Sequence, residues 1–254
     1  MTRGDAAQEH SPEGAYTAEP FLPGPDAGVA ALRKAAADCR GCPLHRDTTQ
    51  TVFGEGAADA RVLLLGEQPG DQEDRQGHPF VGPAGKVLTR ALDEAGIDPE
   101  VTYVTNAVKH FKFEHVPERG KRRIHKAPSL RELSACKPWL AAELRAVDPE
   151  VVVALGATAG KALLGSSFRV TKQRGMLLPC PVIEGWPGGT GGAERGAGER
   201  GDAGAAADDG EGRGACLVAT IHPSAVLRSD DREATYRGLV SDLRIAAEAL
   251  HAPG

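Results

Sequence analysis

Four segments of the 254-residue sequence bring chemistry-bearing side chains together at short spacing. The first is Gly66-Glu67-Gln68-Pro69-Gly70-Asp71, with His78-Pro79-Phe80-Val81-Gly82 close behind. Its Gly and Pro residues force a tight turn straight off an apolar run. The turn leaves backbone N–H groups and the side chains of Glu67, Gln68 and Asp71 facing a cleft; the plain alternative is a solvated loop. The second is Lys109–Lys126, where seven Lys or Arg stand against two Glu. That excess can contact phosphates or form a solvated basic loop. Within it, His125 sits among Lys121, Arg122, Arg123 and Lys126, and composition alone reads it as a phosphate or solvent contact. The third is Cys39-x2-Cys42, with Cys136 further on. Zinc, a redox pair and an iron-sulfur cluster fit this spacing equally. Cys136 also shares a helix face with Leu133 and Leu140, and Cys180 and Cys216 read as core thiols. The fourth is Gly156-Ala157-Thr158-Ala159-Gly160-Lys161. A P-loop needs four residues between its glycines and Ser or Thr after the Lys. This segment has three and then Ala162, so it reads as a strand-to-helix turn whose N-terminus can lie near a phosphate.

Positioning such side chains takes a scaffold. Short apolar runs at Val62–Leu65, Val101–Val108, Val151–Leu155 and Cys216–Ile221 read as buried strands. Helical periods lie between them: Val87, Leu88, Ala91, Leu92 and Ala95; then Leu133, Leu140, Leu144 and Val147; last Tyr236, Leu239, Val240, Leu243 and Leu250. The alternation predicts an α/β fold, a three-layer α/β/α arrangement around a central, mainly parallel sheet. Ligands of such sheets bind beyond the carboxyl ends of the strands. That rule singles out 66–70, 106–110, 156–160 and His222-Pro223-Ser224.

Residues 1–26 lack a sustained apolar period and read as a disordered tail. Residues 27–254 read as one domain, interrupted at 185–214 by a flexible insertion with 12 Gly in 30 residues. The net charge of −5 is misleading, because residues 1–30 carry net −4 and residues 185–214 net −3, leaving the remainder mildly basic. No eighteen-residue apolar run and no apolar leader stand in the sequence, so no membrane partner is expected and the location predicted is cytoplasmic, at the nucleoid in a bacterium. Five cysteines, an odd number, argue for metal binding or buried thiols over a disulfide framework.

With Gly66–Asp71, His78–Gly82 and His222-Pro223-Ser224 read together, the chain resembles the uracil-DNA glycosylase superfamily, specifically its iron-sulfur family 4 group. The resemblance covers roughly 30–182 and 215–250. Within the group it is most similar to the UdgX branch, which crosslinks to uracil-containing DNA. Gln68 stands where family 4 enzymes usually have a smaller residue, and Lys121-Arg122-Arg123-Ile124-His125-Lys126 forms an extra basic loop.

The resemblance implies a DNA glycosylase of repair or base-damage pathways, acting as a monomer on uracil-containing DNA, single strands among it. It implies a 4Fe-4S cluster on Cys39, Cys42, His110 and Cys136, with His110 where the group commonly has Cys. Asn106 would read the base, because its amide complements uracil O4 and N3–H. Phe80 would stack on the extruded base, with Gly66 and Gln68 lining its site. His222 would donate to uracil O2, where charge develops as the base departs. Lys121, Arg122, Arg123, Lys126 and Ser224 would grip DNA. His125, delivered by the basic loop, would then capture the abasic sugar covalently. A carboxylate would hold one imidazole N–H for that step, Glu67 first and Asp71 second. Two rivals remain at this level: a turnover family 4 enzyme whose loop only grips DNA, and a non-enzymatic zinc-dependent DNA-binding module.

Overall fold

The computed structural model describes residues 16–115, 122–183, 186–189 and 214–251. Its main sheet has six strands: β1 (Glu55–Gly56), β2 (Val62–Gly66), β3 (Thr102–Asn106), β6 (Val151–Leu155), β7 (Leu177–Pro179) and β8 (Cys216–Thr220). A separate two-stranded hairpin joins β4 (Phe113–His115) to β5 (Arg123–His125). The order in the main sheet is β1-β3-β2-β6-β8-β7. Its four inner strands are parallel, and both edge strands run antiparallel to their neighbours. This is the α/β architecture the alternating pattern predicts.

The helices are α1 (Val29–Ala36), α2 (Asp71–Gln76), α3 (Pro83–Ala95), α4 (Leu130–Val147), α5 (Ala157–Leu164), α6 (Val170–Gln173), α7 (Pro223–Arg228) and α8 (Arg232–His251). They cover both faces, which is why the inner strands read as continuous apolar runs. Val62, Leu64, Val151, Val153 and Val218 point toward α3 and α8, while Leu63, Leu65, Val152, Ala154 and Leu217 point toward α4 and α5. Period-two alternation thus builds two cores from the same strands. Among the described residues, no helix is long and apolar enough to cross a membrane.

A third core cluster gathers Ala18, Leu32, Ala36, Cys39, Phe53, Val108, Cys136 and Trp139. Residues 16–26, expected in the tail, pack here: Ala18 is buried and its N–H donates to the Ala135 carbonyl in α4. Phe21 and Leu22 pack on this cluster, but a segment with so few apolar residues has no sustained period and gave no signal of that docking. Residues 1–15 lie outside the described residues. The expected insertion begins inside the fold, because Trp186 is buried and donates to Asp148 at 2.9 Å. Gly188 accepts from the Ala215 N–H at 2.9 Å, and residues 190–213 lie outside the described residues.

Candidate active site

The carboxyl ends of the parallel strands open into a cavity of about 760 Å³. Its lining includes Glu67, Gln68, Phe80, Asn106, His125 and His222. Parallel register sets Gly66 directly beside Asn106. A Cβ at Gly66 would lie 2.2 Å from Asn106 Oδ1 and 2.7 Å from Phe80 Cζ, so only glycine leaves the slot between ring and amide open. Asn106 is buried, and its Oδ1 is the one buried side-chain polar atom without a hydrogen-bond partner among the described residues. An orphaned acceptor at a pocket wall costs free energy unless a ligand satisfies it. Phe80 sits in the left-handed region at φ 55°, a conformation bulky residues rarely adopt. Its ring lies 6.0 Å from that of His222.

The proton of His222 is placed by its own helix. His222 caps α7, and Nδ1 accepts the Ser224 N–H at 3.2 Å. A neutral ring that accepts at Nδ1 carries its hydrogen on Nε2. Burial, helped by Arg228 and His125, pushes the His222 pKa down to about 4, so at neutral pH the ring is an uncharged Nε2–H donor.

His125 reaches the cavity on β5. The hairpin is pinned by Gln68, whose amide nitrogen donates to the carbonyls of Lys112 (3.2 Å) and Lys126 (2.9 Å) while its oxygen accepts the Lys112 N–H at 3.1 Å. Gln68 therefore lines the pocket but spends its amide on the loop. Arg123, expected to grip DNA, is largely buried and bonded to Asp71 and Asp74, with its guanidinium 4.9 Å from the Phe113 ring centre. Asp71, the second carboxylate considered for His125, is taken up by Arg123 and Arg75. Glu67 Oε1 stands 3.5 Å from His125 Nε2. Its other oxygen accepts the hydroxyl of Thr158, from the turn into α5. Burial holds the His125 pKa below 6.5; Glu67 pulls it up and Arg228 pushes it down.

The basic run is more neutralised than its composition suggests. Lys109 is wholly buried on Glu143, Lys112 pairs with Glu132 at 2.8 Å and Lys126 with Glu114 at 3.0 Å. Arg122 is exposed and lines the cavity, as does Ser224. Lys121 lies outside the described residues.

Cys39, Cys42 and Cys136 are buried free thiols. They lie close enough that Cys39 raises the pKa of both other thiols, beneath the larger effect of burial, which carries Cys136 to about 12. Trp139 Nε1–H donates to Cys39 Sγ at 3.2 Å and the Lys109 N–H to Cys136 Sγ at 3.3 Å. Such donors suit thiolate ligands. Thr51 gives its one hydroxyl proton to the Ala36 carbonyl, so at 3.0 Å from His110 Nε2 it can only accept. The His110 proton is thus on Nε2 and the Nδ1 lone pair is left over, as metal-binding imidazoles require. Burial lowers the His110 pKa to about 4. Among the described residues no three His, Cys, Asp or Glu are gathered as a single metal ion would need; a four-iron cluster spreads its ligands wider.

Sequence reasoning missed several residues that hold these parts. Glu73 accepts the N–H groups of Gly70 (3.1 Å) and Gly82 (3.0 Å), tying together the two turns that carry Glu67 and Phe80. Asp74, fully buried, takes Thr49 as well as Arg123. Thr158 lies in the segment compared with a P-loop. Apart from the Glu73 contact to Gly70, a capping bond three residues long, each partner is more than eight positions away, and no local pattern marks such pairs.

Residues 53–244 match the model of the uracil DNA glycosylase superfamily. A Type-4 uracil-DNA glycosylase of Thermotoga maritima is 41% identical over 196 residues, covering 77% of this chain and 81% of the relative. One of Pyrobaculum aerophilum is 35% identical over 144 residues, 57% and 68% of the two chains. A Type-5 uracil-DNA glycosylase of the same organism is 30% identical over 142 residues, 48% and 58%. With a family match over most of its length and a cavity at the strand ends that the fold predicts, the chain belongs to the uracil DNA glycosylase superfamily.

Proposed function

We propose that this protein excises uracil from DNA and is then captured on its product through His125. Excision is supported by the similarity to named uracil-DNA glycosylases and by the orphaned Oδ1 of Asn106. That oxygen complements uracil N3–H, and the amide nitrogen complements O4. Phe80 provides the face on which the extruded base stacks. As the C1′–N1 bond breaks, its electron pair leaves with uracil, and His222 Nε2–H donates to O2 where the charge develops.

The observation that carries capture is the His125 imidazole beside Glu67 in the same cavity as Asn106 and His222. The unprotonated ring nitrogen gives its lone pair to C1′ of the cationic sugar. The resulting imidazolium loses its N–H proton, which solvent returns to the uracil anion, so charge and atoms balance. A tethered nucleophile has an effective concentration far above that of any diffusing one. Cys39, Cys42, Cys136 and His110 would hold a 4Fe-4S cluster, and the fit rests on the N–H donors to sulfur and the spare His110 lone pair. Such a cluster would tie the segment after β3 to α4 and to the Cys39–Cys42 turn.

The second reading, ordinary turnover, is favoured by the Type-4 names of the relatives. Incubation with a uracil oligonucleotide followed by denaturing electrophoresis separates the two. Wild type should yield a denaturant-stable adduct, and His125→Ser should release uracil and free abasic DNA over many turnovers. Repeated release by the wild type would refute capture and leave excision standing.

A further inference from the structure

Behind Asn106 lies an ammonium group that solvent does not reach. Lys109 is 0% exposed. Its three protons go to Glu143 Oε2, to Thr105 Oγ1 at 2.7 Å and to the backbone carbonyl of Asn106 at 2.8 Å. Glu143, also 0% exposed, accepts at Oε1 from the Tyr103 hydroxyl (3.0 Å) and the Thr105 hydroxyl (2.9 Å). The Phe53 ring centre lies 5.2 Å from the ammonium. The backbone of Lys109 is held too, by Cys136 Sγ on its N–H and by Val52 on its carbonyl.

Such a buried pair is a poor way to gain stability. Desolvating two charges costs several kcal/mol per ion, and apolar residues of similar volume commonly serve as well or better. What the pair does achieve is geometric. Asn106 ends β3, and the next two residues still bond back to the end of β2, Ala107 N–H to the Gly66 carbonyl and Val108 N–H to that of Glu67, both at 3.0 Å. The Asn106 Oδ1 has no hydrogen-bond partner among the described residues, so the placement of that atom depends on the backbone that carries it and on the packing of Gly66 and Phe80 around the amide. The peptide carbonyl is held by Lys109 Nζ, and Nζ is held by Glu143. We propose that the Lys109–Glu143 pair is a positioning device that fixes Asn106 for base recognition. This rests on reading the cavity as a uracil site. The residues that conduct the effect are on one short path: Glu143 on α4, Lys109 three residues past Asn106, and Thr105 one before it, bonded to both charges.

The test separates base recognition from DNA grip and from stability. Free uracil, as product inhibitor, reads the base slot, and an oligonucleotide with a stable tetrahydrofuran abasic analogue reads the remaining contacts. Lys109→Met alone should lower the melting temperature, because buried Glu143 loses its cationic partner. Lys109→Met with Glu143→Leu removes the buried charge and should recover part of the loss, the Tyr103 and Thr105 hydroxyls being left without their acceptor. If the pair positions Asn106, the double variant binds uracil about tenfold more weakly, the loss of roughly one oriented hydrogen bond. Its affinity for the abasic analogue should stay within about twofold of wild type. Thr105→Val, nearly isosteric, removes only the hydroxyl between the charges and should show the same selective loss in smaller degree. Unchanged uracil inhibition in whichever of these variants fold would overturn the proposal. So would parallel loss of uracil and abasic-analogue binding, the mark of a general structural role. Absence of uracil inhibition and release in the wild type would instead overturn the reading of the cavity.

Discussion

Two imidazoles share the cavity, and loss of solvation lowers the pKa of both, of buried His222 to about 4 and of half-exposed His125 below the free-imidazole value. The same physical cause serves two jobs, because the second hydrogen-bond partner differs. His222 accepts from the Ser224 N–H and so presents a hydrogen; His125 leans on a carboxylate and so can present a lone pair. The sign of the pH effect on capture follows. The His125 pKa is held below that of a free imidazole, so the acid limb of adduct formation, where the ring protonates, should lie at lower pH than a free imidazole would set. Glu67 is the group that raises this pKa. Glu67→Gln should therefore move the acid limb to lower pH while reducing the plateau rate by about tenfold through lost orientation of the ring. Single-turnover adduct formation across a pH series reads both quantities. An acid limb that moves upward would contradict the assigned coupling.

At the scale of elements, the β4–β5 hairpin is the part set onto the fold from outside. Its own pairing covers three residues per strand, too little to be stable alone. Gln68 holds it through three hydrogen bonds, and Arg123 anchors it to Asp71 and Asp74 at the start of α2. The hairpin in turn aims His125, whose ring lies 6.0 Å from that of Phe111. Gln68→Ala should therefore loosen His125 without touching Asn106 or His222. We expect adduct formation to fall about tenfold, equivalent to one well-placed hydrogen bond, and uracil release to fall much less. Comparing released uracil by chromatography with adduct on a denaturing gel checks this; equal losses would place Gln68 on the base instead.

At the scale of the whole molecule, the long interruption between β7 and β8 enters and leaves the fold at adjacent points. Gly188 and Ala215 are joined by a 2.9 Å backbone hydrogen bond, and buried Trp186 holds the entry. A chain whose ends already meet can be shortened at small entropic cost. Replacing residues 190–213 with a short Gly-Ser linker should leave the melting temperature and uracil release close to wild type, by scanning calorimetry and single-turnover assay. A large loss of release would assign those residues to DNA contact.

The sequence by itself determined the layers and the edge at which the site lies. Apolar runs at 62–65 and 151–155, short and rich in Val and Leu, read as strands covered on both faces, and turn-forming residues follow each where a parallel sheet exposes its ligand-binding end. Gly66, Asn106 and His222 were legible because each sits at or within two residues of a strand end, and Phe80 through the family resemblance that its segment, 78–82, carries. His125 was legible only through the loop around it. What tertiary structure decided is which polar side chains meet. Gln68 turned out to hold a loop, Asp71 and Arg123 each other, and Thr158 the carboxylate beside His125. The cation in Lys109 reached Glu143 in the core. A hydrogen bond has no sequence period: its partners are fixed by the packing of elements far apart in the chain, and only the folded chain brings them within reach.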